Sequence, residues 1–194
     1  MSVDHLLYLH GFRSSPQSTK ARFVAERVAR DHPQVVWHCP QLPPSPRQAI
    51  EGILRDIAHW PAASTAAVGS SLGGFYATVV AERIGCQAVL LNPAIFPARD
   101  LAAHVGEQKA WHSDDAFDFR AEYVDELRAL MPPSPLSRPE RTFAIIATGD
   151  EVLSWREMQA RYAGSPMRVI EGSDHAISDF AEHWPAVEAF LFAS

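Results

Sequence analysis

The sequence has 194 residues, a length at which one compact domain can bury a sizeable core. Its composition, with 47% hydrophobic and 21% charged residues, excludes a disordered or fibrous chain. The formal net charge of −6 comes from acidic and basic residues that are mixed along the chain. No basic block is present, so nucleic acid is not expected as a partner.

Membrane and export signals are absent from the sequence pattern as well. No stretch supplies the roughly 18 consecutive apolar residues of a membrane span, and residues 1–10 lack the basic and apolar regions of a signal peptide. We therefore expect a cytoplasmic protein that does not use a membrane as a partner. Cys39 and Cys86 lack CxxC spacing, which predicts reduced thiols in core or strand-end positions. The oligomeric state cannot be predicted from these features.

The first half of the chain alternates short apolar runs with stretches that repeat apolar residues at helical spacing. After a proline-rich connector at residues 40–46, for example, Ile50, Ile53 and Ile57 recur on one helical face. The small apolar run at residues 65–68 is typical of a central strand that is buried on both faces. The predicted elements are strands at residues 3–9, 35–39, 65–68 and 88–91, and helices at residues 18–30, 48–60 and 75–84.

Between residues 93 and 139 the pattern becomes irregular, with one helical piece at residues 119–131. We interpret this region as a small cap or lid-like insertion in a single domain that spans residues 1–194. Regular alternation then resumes, with strands at residues 143–148 and 168–170 and helices at residues 154–162 and 179–192. Such alternation predicts an α/β fold with a mostly parallel sheet and helices on both faces. Ligands bind outside the carboxyl ends of the strands in sheets of this kind.

The loop after the predicted strand at residues 65–68 reads Gly69-Ser70-Ser71-Leu72-Gly73, which matches the pattern G-x-S-x-G between a strand and a helix. A sharp strand-to-helix turn tolerates only glycine-sized residues at its flanks, and the helix N-terminus offers N–H groups to a developing anion. The motif predicts Ser71 as an exposed nucleophile and the Leu72 N–H as an oxyanion donor. Taken alone, it is equally compatible with a turn that only connects two elements.

Two nucleotide-binding interpretations of the glycine-rich loop are excluded by the residues that follow it. A dinucleotide-binding turn predicts an acidic residue about 20 positions later, at the end of the next strand. That strand instead ends Leu91-Asn92-Pro93. No lysine follows the glycines, so the phosphate-binding P-loop pattern is not met either.

A serine nucleophile needs a histidine base that is held by a carboxylate, in the chain order Ser, Asp, His. Asp150 follows the strand predicted at residues 143–148, and His175 follows the strand predicted at residues 168–170. All three side chains are therefore expected at the carboxyl edge of the sheet. Glu151 and Asp174 are neighbouring acidic competitors, and each candidate taken singly could be an ordinary turn residue.

The loop after the first strand, His10-Gly11-Phe12, is placed to supply the second oxyanion donor. Gly11 lets the backbone approach, and the Phe12 N–H would pair with that of Leu72. His10 is expected to brace the loop by hydrogen bonding. Arg13 beside this loop is a candidate for binding a charged group of the substrate, although such arginines are often only solvated.

A metal site is not expected, because Asp114, Asp115 and Asp118 lack the alternating spacing and the glycine of a calcium loop. Phe96, at the start of the insertion, is a candidate substrate-binding residue, with ordinary core packing as the alternative.

Four stretches together resemble the YqiA/YcfP-like esterases, a family of small bacterial α/β-hydrolases. They are YLHGFRSSP at residues 8–16, VGSSLGGFYAT at residues 68–78, TGDEVL at residues 148–153 and GSDH at residues 172–175. The resemblance covers nearly the whole chain and is most specific in the first two stretches. It implies the α/β-hydrolase fold and hydrolysis of acyl esters or thioesters, with Ser71, Asp150 and His175 at the triad positions. Residues 95–139 depart from the family pattern, so a substrate preference does not follow from the resemblance.

The resulting expectation is a serine esterase or thioesterase that acts on a small-molecule acyl substrate through an acyl-enzyme, without a cofactor. Two alternatives stay open. One is a non-catalytic binding protein on a hydrolase scaffold, with residues 93–139 as its recognition surface. The other is a lipase or peptidase that acts on a larger substrate.

Overall fold

The computed structural model describes residues 2–110 and 116–192. Asp114 and Asp115, considered above as metal ligands, lie outside the described residues. The strands are β1 (His5–Leu9), β2 (Val36–His38), β3 (Thr65–Ser70), β4 (Gln87–Leu91), β5 (Gly106–Lys109), β6 (Ala116–Phe119), β7 (Thr142–Ala147) and β8 (Met167–Ile170). The α-helices are α1 (Thr19–Asp31), α2 (Pro46–Asp56), α3 (Leu72–Ile84), α4 (Pro97–Asp100), α5 (Ala121–Ala129), α6 (Trp155–Arg161) and α7 (Phe180–Phe192).

Six of these strands form one sheet in the order β2-β1-β3-β4-β7-β8. Neighbouring strands run parallel throughout, with Leu7 opposite Ala67 between β1 and β3 and Leu91 opposite Ile145 between β4 and β7. Every residue of β3 and β7 is buried, as expected of central strands with helices on both faces. The predicted parallel sheet is confirmed.

Two hydrophobic clusters form the core, one on each face of the sheet. On one face α1 and α7 pack against the sheet, with Trp184 in the same cluster as Leu6. On the other face α2, α3 and α6 do so, with Phe75 in the same cluster as Leu7. Successive residues of β1 thus serve opposite clusters, which is the two-residue period of a strand.

All the predicted strands and helices are present, with ends that differ by a few residues. Helix α3 begins at Leu72 rather than at residue 75, because Gly73 and Gly74 form its first turn, and α2 ends at Asp56 rather than at residue 60. Helix α2 begins at Pro46, ahead of the predicted start. There the Ser45 hydroxyl accepts a hydrogen bond from the Gln48 N–H, and a proline fits the first helical position.

The region of residues 93–139 contains elements that the sequence pattern does not predict, namely the short helix α4 and an antiparallel hairpin of β5 and β6. Phe119, Tyr123 and Leu127 belong to the same core cluster as Phe75, so part of this region is built into the core. Its action as a lid stays a prediction. Within the described ranges, no helix is both long enough and apolar enough to span a membrane.

The start of α3 lies so close to the sheet that side chains do not fit there. A β-carbon on Gly73 would lie 1.9 Å from the carbonyl oxygen of Leu9, and one on Gly69 would lie 2.1 Å from the carbonyl oxygen of Gly73. In both cases the obstacle is backbone rather than a flexible side chain. This approach fixes the position of the turn that contains Ser71.

The Gly73→Ala substitution is expected to lower the free energy of unfolding by about 3 kcal/mol or more, because the β1 and α3 backbones must separate. Gly52→Ala in α2 is the matched control, since its β-carbon would lie 3.7 Å from the nearest atom, a guanidinium nitrogen of Arg55. It should raise stability by roughly 0.5–1 kcal/mol through helix propensity. Urea unfolding measures both changes, and equal stability of the two variants would contradict this account of α3.

Candidate active site

Ser71 occupies the turn between β3 and α3 in a strained backbone conformation, with φ 56° and ψ −122°. A positive φ is unusual for a residue with a β-carbon and persists only where surrounding contacts impose it. Here the Ser71 N–H donates to the Leu91 carbonyl at 3.0 Å, and the Ser71 carbonyl accepts from the N–H groups of Gly74 at 2.9 Å and Ala94 at 3.0 Å. The turn is therefore fixed from β4, from α3 and from the loop after β4.

His175 connects Ser71 to Asp150. Its Nε2 atom lies 3.0 Å from the Ser71 Oγ, and its Nδ1 atom lies 2.8 Å from Oδ2 of Asp150. The Asp150 side chain is 0% exposed and that of His175 is 21% exposed. A carboxylate can only accept, so Nδ1 carries the ring proton and Nε2 accepts from the serine hydroxyl. This arrangement can draw a proton from Ser71.

The second oxygen of Asp150 is also occupied. Oδ1 accepts from the N–H groups of Val152 and Leu153, each at 2.8 Å, which fixes the carboxylate toward His175. Glu151 instead accepts from the backbone N–H of His175 at 2.9 Å. The structure thus brings Asp150 to the imidazole ring and Glu151 to the loop that carries it.

Asp174, the other acidic competitor, is hydrogen-bonded to Ser178. Its oxygens accept from the Ser178 N–H at 2.8 Å and from the Ser178 hydroxyl at 2.6 Å. These hydrogen bonds lower the pKa of Asp174. The carboxylate closes the turn that leads toward α7.

Asn92 is a site residue that the sequence reasoning missed. It is fully buried directly after β4, with a positive φ of 43°. Its Nδ2 donates to the carbonyls of Asp174 at 3.0 Å and His175 at 3.2 Å, and its Oδ1 accepts from the Ala147 N–H at 2.8 Å. One amide therefore ties the His175 loop to β7. The sequence signal that could have identified Asn92 is a polar residue immediately after an apolar strand.

Lys20, on α1, holds the same loop from the other side. Its Nζ donates to the carbonyl of Ala176, the residue after His175. Burial lowers the pKa of Lys20 to about 8, while the negative charges of Asp174 and Asp150 act in the opposite direction. Nothing in its sequence context marks Lys20, because its contact spans most of the chain.

The two proposed oxyanion donors lie beside Ser71. Leu72 is the first residue of α3, and the first N–H groups of a helix have no partner inside it. A β-carbon on Gly11 would lie 3.3 Å from the Ser71 β-carbon, which shows how closely the loop after β1 approaches the nucleophile. Phe12 and Leu72 line one cavity together with Ser71 and His175.

His10 lies in the bracing position expected of it. Its Nδ1 donates to the Gly11 carbonyl at 3.0 Å, and its Nε2 accepts from the Leu42 N–H at 3.1 Å. Burial lowers the pKa of His10, and the hydrogen bond to Gly11 offsets this only in part. The neutral ring joins the oxyanion loop to the proline-rich connector after β2.

Arg13 and Phe96, the two candidate substrate-binding residues, lie in different surroundings. Arg13 lines the cavity at Ser71, while its Nε donates to the Lys109 carbonyl of β5 at 2.6 Å. Phe96 is 44% exposed, and the Arg99 guanidinium lies 4.9 Å from its ring centroid. Phe96 is not among the described residues that line the two cavities that Arg13 lines, and its role in substrate binding stays a prediction.

Two cavities share Phe12, Arg13 and Leu72 in their linings. The serine cavity has a volume of about 370 Å³; its lining comprises Phe12, Arg13, Ser71, Leu72, Ala94, Pro97, Asp100, Leu101, His104, Val152, Leu153 and His175. The connector cavity has a volume of about 650 Å³; its lining comprises residues 10–15, 17, 41–44, 72, 76, 110, 116 and 117. Both volumes fall within or near the range of small-molecule sites, about 300–1,000 Å³.

The sheet, its helices and the serine at the strand-to-helix turn define a protein of the α/β-hydrolase fold. Solved structures share this fold. Mouse alpha/beta hydrolase domain-containing protein 10 is 14% identical, with a TM-score of 0.69 over 94% of this chain and 88% of that one. A structure of the metagenome-derived lipolytic enzymes LipS and LipT is 17% identical, with a TM-score of 0.67 over 98% and 95%. The Pyrococcus furiosus esterase Pf2001 is 18% identical, with a TM-score of 0.64 over 98% and 82%.

The sequence places the chain more narrowly within this fold. Residues 5–192 match the model of the family described as Uncharacterised protein family (UPF0227). The chain belongs to this family, which is the YqiA/YcfP family that its motifs resemble.

Asn92→Asp is expected to lower the free energy of unfolding by about 1–3 kcal/mol. The substitution keeps the acceptor for the Ala147 N–H but turns the donor to two carbonyls into an acceptor, leaving buried groups unpaired. Gln159→Glu on the exposed surface of α6 is the matched amide-to-carboxylate control and should change stability by no more than about 0.5 kcal/mol. Urea unfolding at pH 7 measures both. An Asn92→Asp variant as stable as the wild type would refute the anchoring role.

His10 should make stability fall as the solution becomes acidic. Below about pH 6.5 the unfolded chain protonates this imidazole, whereas the buried ring in the folded protein stays neutral because its pKa is lowered. The unfolded state then binds more protons than the folded state. The contribution of His10 to stability is therefore complete above about pH 6.5 and is lost as the pH falls toward the lowered pKa of the folded state. Between about pH 6.5 and 5, His10→Gln should show a shallower decline than the wild type.

Urea unfolding across this pH range measures the difference. His59→Gln, which removes an exposed imidazole, is the control and should retain the wild-type decline. The same decline in His10→Gln as in the wild type would show that His10 does not contribute.

Proposed function

We propose that this protein is a serine hydrolase that cleaves small-molecule carboxylic esters or thioesters through an acyl-enzyme. The observation that carries the proposal is the hydrogen-bond chain from Ser71 through His175 to Asp150, with distances of 3.0 and 2.8 Å. All three residues stand at the carboxyl edge of the sheet, where ligands bind in such folds. The catalytic residues are therefore Ser71, His175 and Asp150.

In the first half of the reaction, the Ser71 Oγ attacks the acyl carbonyl carbon while His175 Nε2 takes the hydroxyl proton. The carbonyl oxygen becomes an oxyanion, and the N–H groups of Phe12 and Leu72 are the proposed donors to it. Asp150 orients the imidazole and stabilises its charged form. Collapse of the intermediate breaks the bond to the leaving group, which receives the proton from His175 as it departs.

In the second half, His175 takes a proton from water, whose oxygen attacks the acyl carbon of the ester on Ser71. The bond to the Ser71 Oγ then breaks, and His175 returns the proton to it. The free carboxylic acid leaves and the enzyme is restored. This chemistry needs no cofactor, and we place it in the cytoplasm.

The described chemistry of structural neighbours supports the class of reaction. LipS and LipT are called lipolytic enzymes, and the Pyrococcus protein is called an esterase. At 14–18% identity these proteins do not indicate the substrate. Support for this chain therefore rests chiefly on its own side chains.

A fluorophosphonate probe should label the wild-type protein and not Ser71→Ala. Ser71→Ala should also lose esterase turnover by at least about 10⁴-fold, because no other group can form the acyl-enzyme. Ser70→Ala is the matched control, since Ser70 is the adjacent, buried last residue of β3 and should keep labelling. Labelling that persists in Ser71→Ala would overturn the proposal.

His175→Ala and Asp150→Asn should each reduce turnover by about 10⁴-fold while circular dichroism shows an unchanged fold. Full activity of Asp150→Asn would move the orienting role to another acid, with Glu151 the nearest along the chain. A wild-type protein that binds but never hydrolyses esters, acyl thioesters or amides would favour a binding protein on a hydrolase scaffold.

A further inference from the structure

The serine cavity and the connector cavity share the residues that carry both proposed oxyanion donors, Phe12 and Leu72. An acyl carbonyl held by these donors would lie beside residues that line both cavities. Its carbon has three attachments before attack: the carbonyl oxygen, the leaving group and the acyl chain. With the oxygen held by the two N–H groups, the other two attachments need separate space.

His175 decides which space receives the leaving group. Its Nε2 must hand a proton to the departing atom, which requires an approach of about 2.6–3.2 Å. Of the two cavities, His175 lines only the serine cavity. The leaving group must therefore extend into the serine cavity, past Val152 and Leu153.

The connector cavity remains for the acyl chain, and its chemistry suits one. Leu42, Pro43, Tyr76 and Phe117 supply apolar surface there, and Ser14, Ser15, Gln17 and Gln41 supply polar groups. Its volume of about 650 Å³ exceeds the 370 Å³ of the serine cavity.

We propose that the connector cavity binds an apolar acyl chain and that the serine cavity binds the leaving group. This assignment rests on the proposed function, since it uses the direction in which His175 returns the proton. It makes residues 41–44 and the β5–β6 hairpin the determinants of acyl preference. It makes Val152 a determinant of leaving-group preference.

The experiment measures kcat/KM in two series of esters with purified full-length protein. The acyl series compares 4-nitrophenyl octanoate with 4-nitrophenyl acetate, so that only the acyl chain changes. The leaving-group series compares 2-naphthyl acetate with phenyl acetate. Leu42→Trp and Ala116→Trp narrow the connector cavity, and Val152→Trp narrows the serine cavity. Met131→Trp is an exposed control outside both linings.

Leu42→Trp and Ala116→Trp should lower the octanoate-to-acetate ratio by about tenfold or more, the size expected when a pocket loses room for one or two methylenes. Neither should change the naphthyl-to-phenyl ratio. Val152→Trp should lower the naphthyl-to-phenyl ratio and leave the octanoate-to-acetate ratio unchanged. Met131→Trp should keep both wild-type ratios. Ala116 and Val152 are exposed, so their variants retain the fold even if Leu42→Trp disturbs it.

The reversed pattern, or unchanged octanoate-to-acetate ratios in both connector-cavity variants, would overturn the assignment. So would a wild-type protein that hydrolyses acetate but not octanoate. Absence of Ser71-dependent turnover on every ester is a different result, because it overturns the proposed function itself.

Discussion

The backbone contact between β1 and the first turn of α3 is the constraint on which the site depends. A β-carbon on Gly73 would lie only 1.9 Å from the Leu9 carbonyl oxygen, so α3 starts as near the sheet as backbone atoms allow. The chain therefore has little space to pass from β3 into α3, and Ser71 takes the positive φ of 56°. The same approach brings Gly11, two residues after Leu9, against Ser71. One close contact thus places both the nucleophile and the loop of Phe12.

The base is positioned by a different strategy, because the loop that carries His175 belongs to no regular element. Asn92, Glu151 and Lys20 each bond its backbone, from the end of β4, from the loop after β7 and from α1 respectively. Each group bonds a different part of residues 174–176, so the imidazole does not have to be held by Asp150 alone. Such supporting contacts are what keep a catalytic geometry within a fraction of an ångström.

The sequence predicts the alternation of the six sheet strands with their helices. It also predicts that Ser71, Asp150 and His175 lie at one edge of the sheet. Apolar periodicity marks buried strands and amphipathic helices, and strands in a parallel sheet end at the same edge. The β5–β6 hairpin was not predicted because Gly106–Lys109 lacks an apolar strand pattern. The segment is polar, and half-buried residues alternate in it with exposed ones. The supporting roles of Asn92 and Lys20 were not predicted because their hydrogen-bond partners lie far away in the chain.

The β5–β6 hairpin also contacts the loop of Phe12 and Arg13, which carries one of the proposed oxyanion donors. The Phe12 ring packs edge-on against Phe117 at 5.9 Å and Phe119 at 5.2 Å between ring centroids, and the Arg13 Nε donates to the Lys109 carbonyl. Phe117 also lines the connector cavity. A group that displaces Phe117 would therefore press on Phe12, whose N–H is the proposed oxyanion donor. Under the proposed assignment, the fit of an acyl chain in the connector cavity would therefore affect the position of this donor.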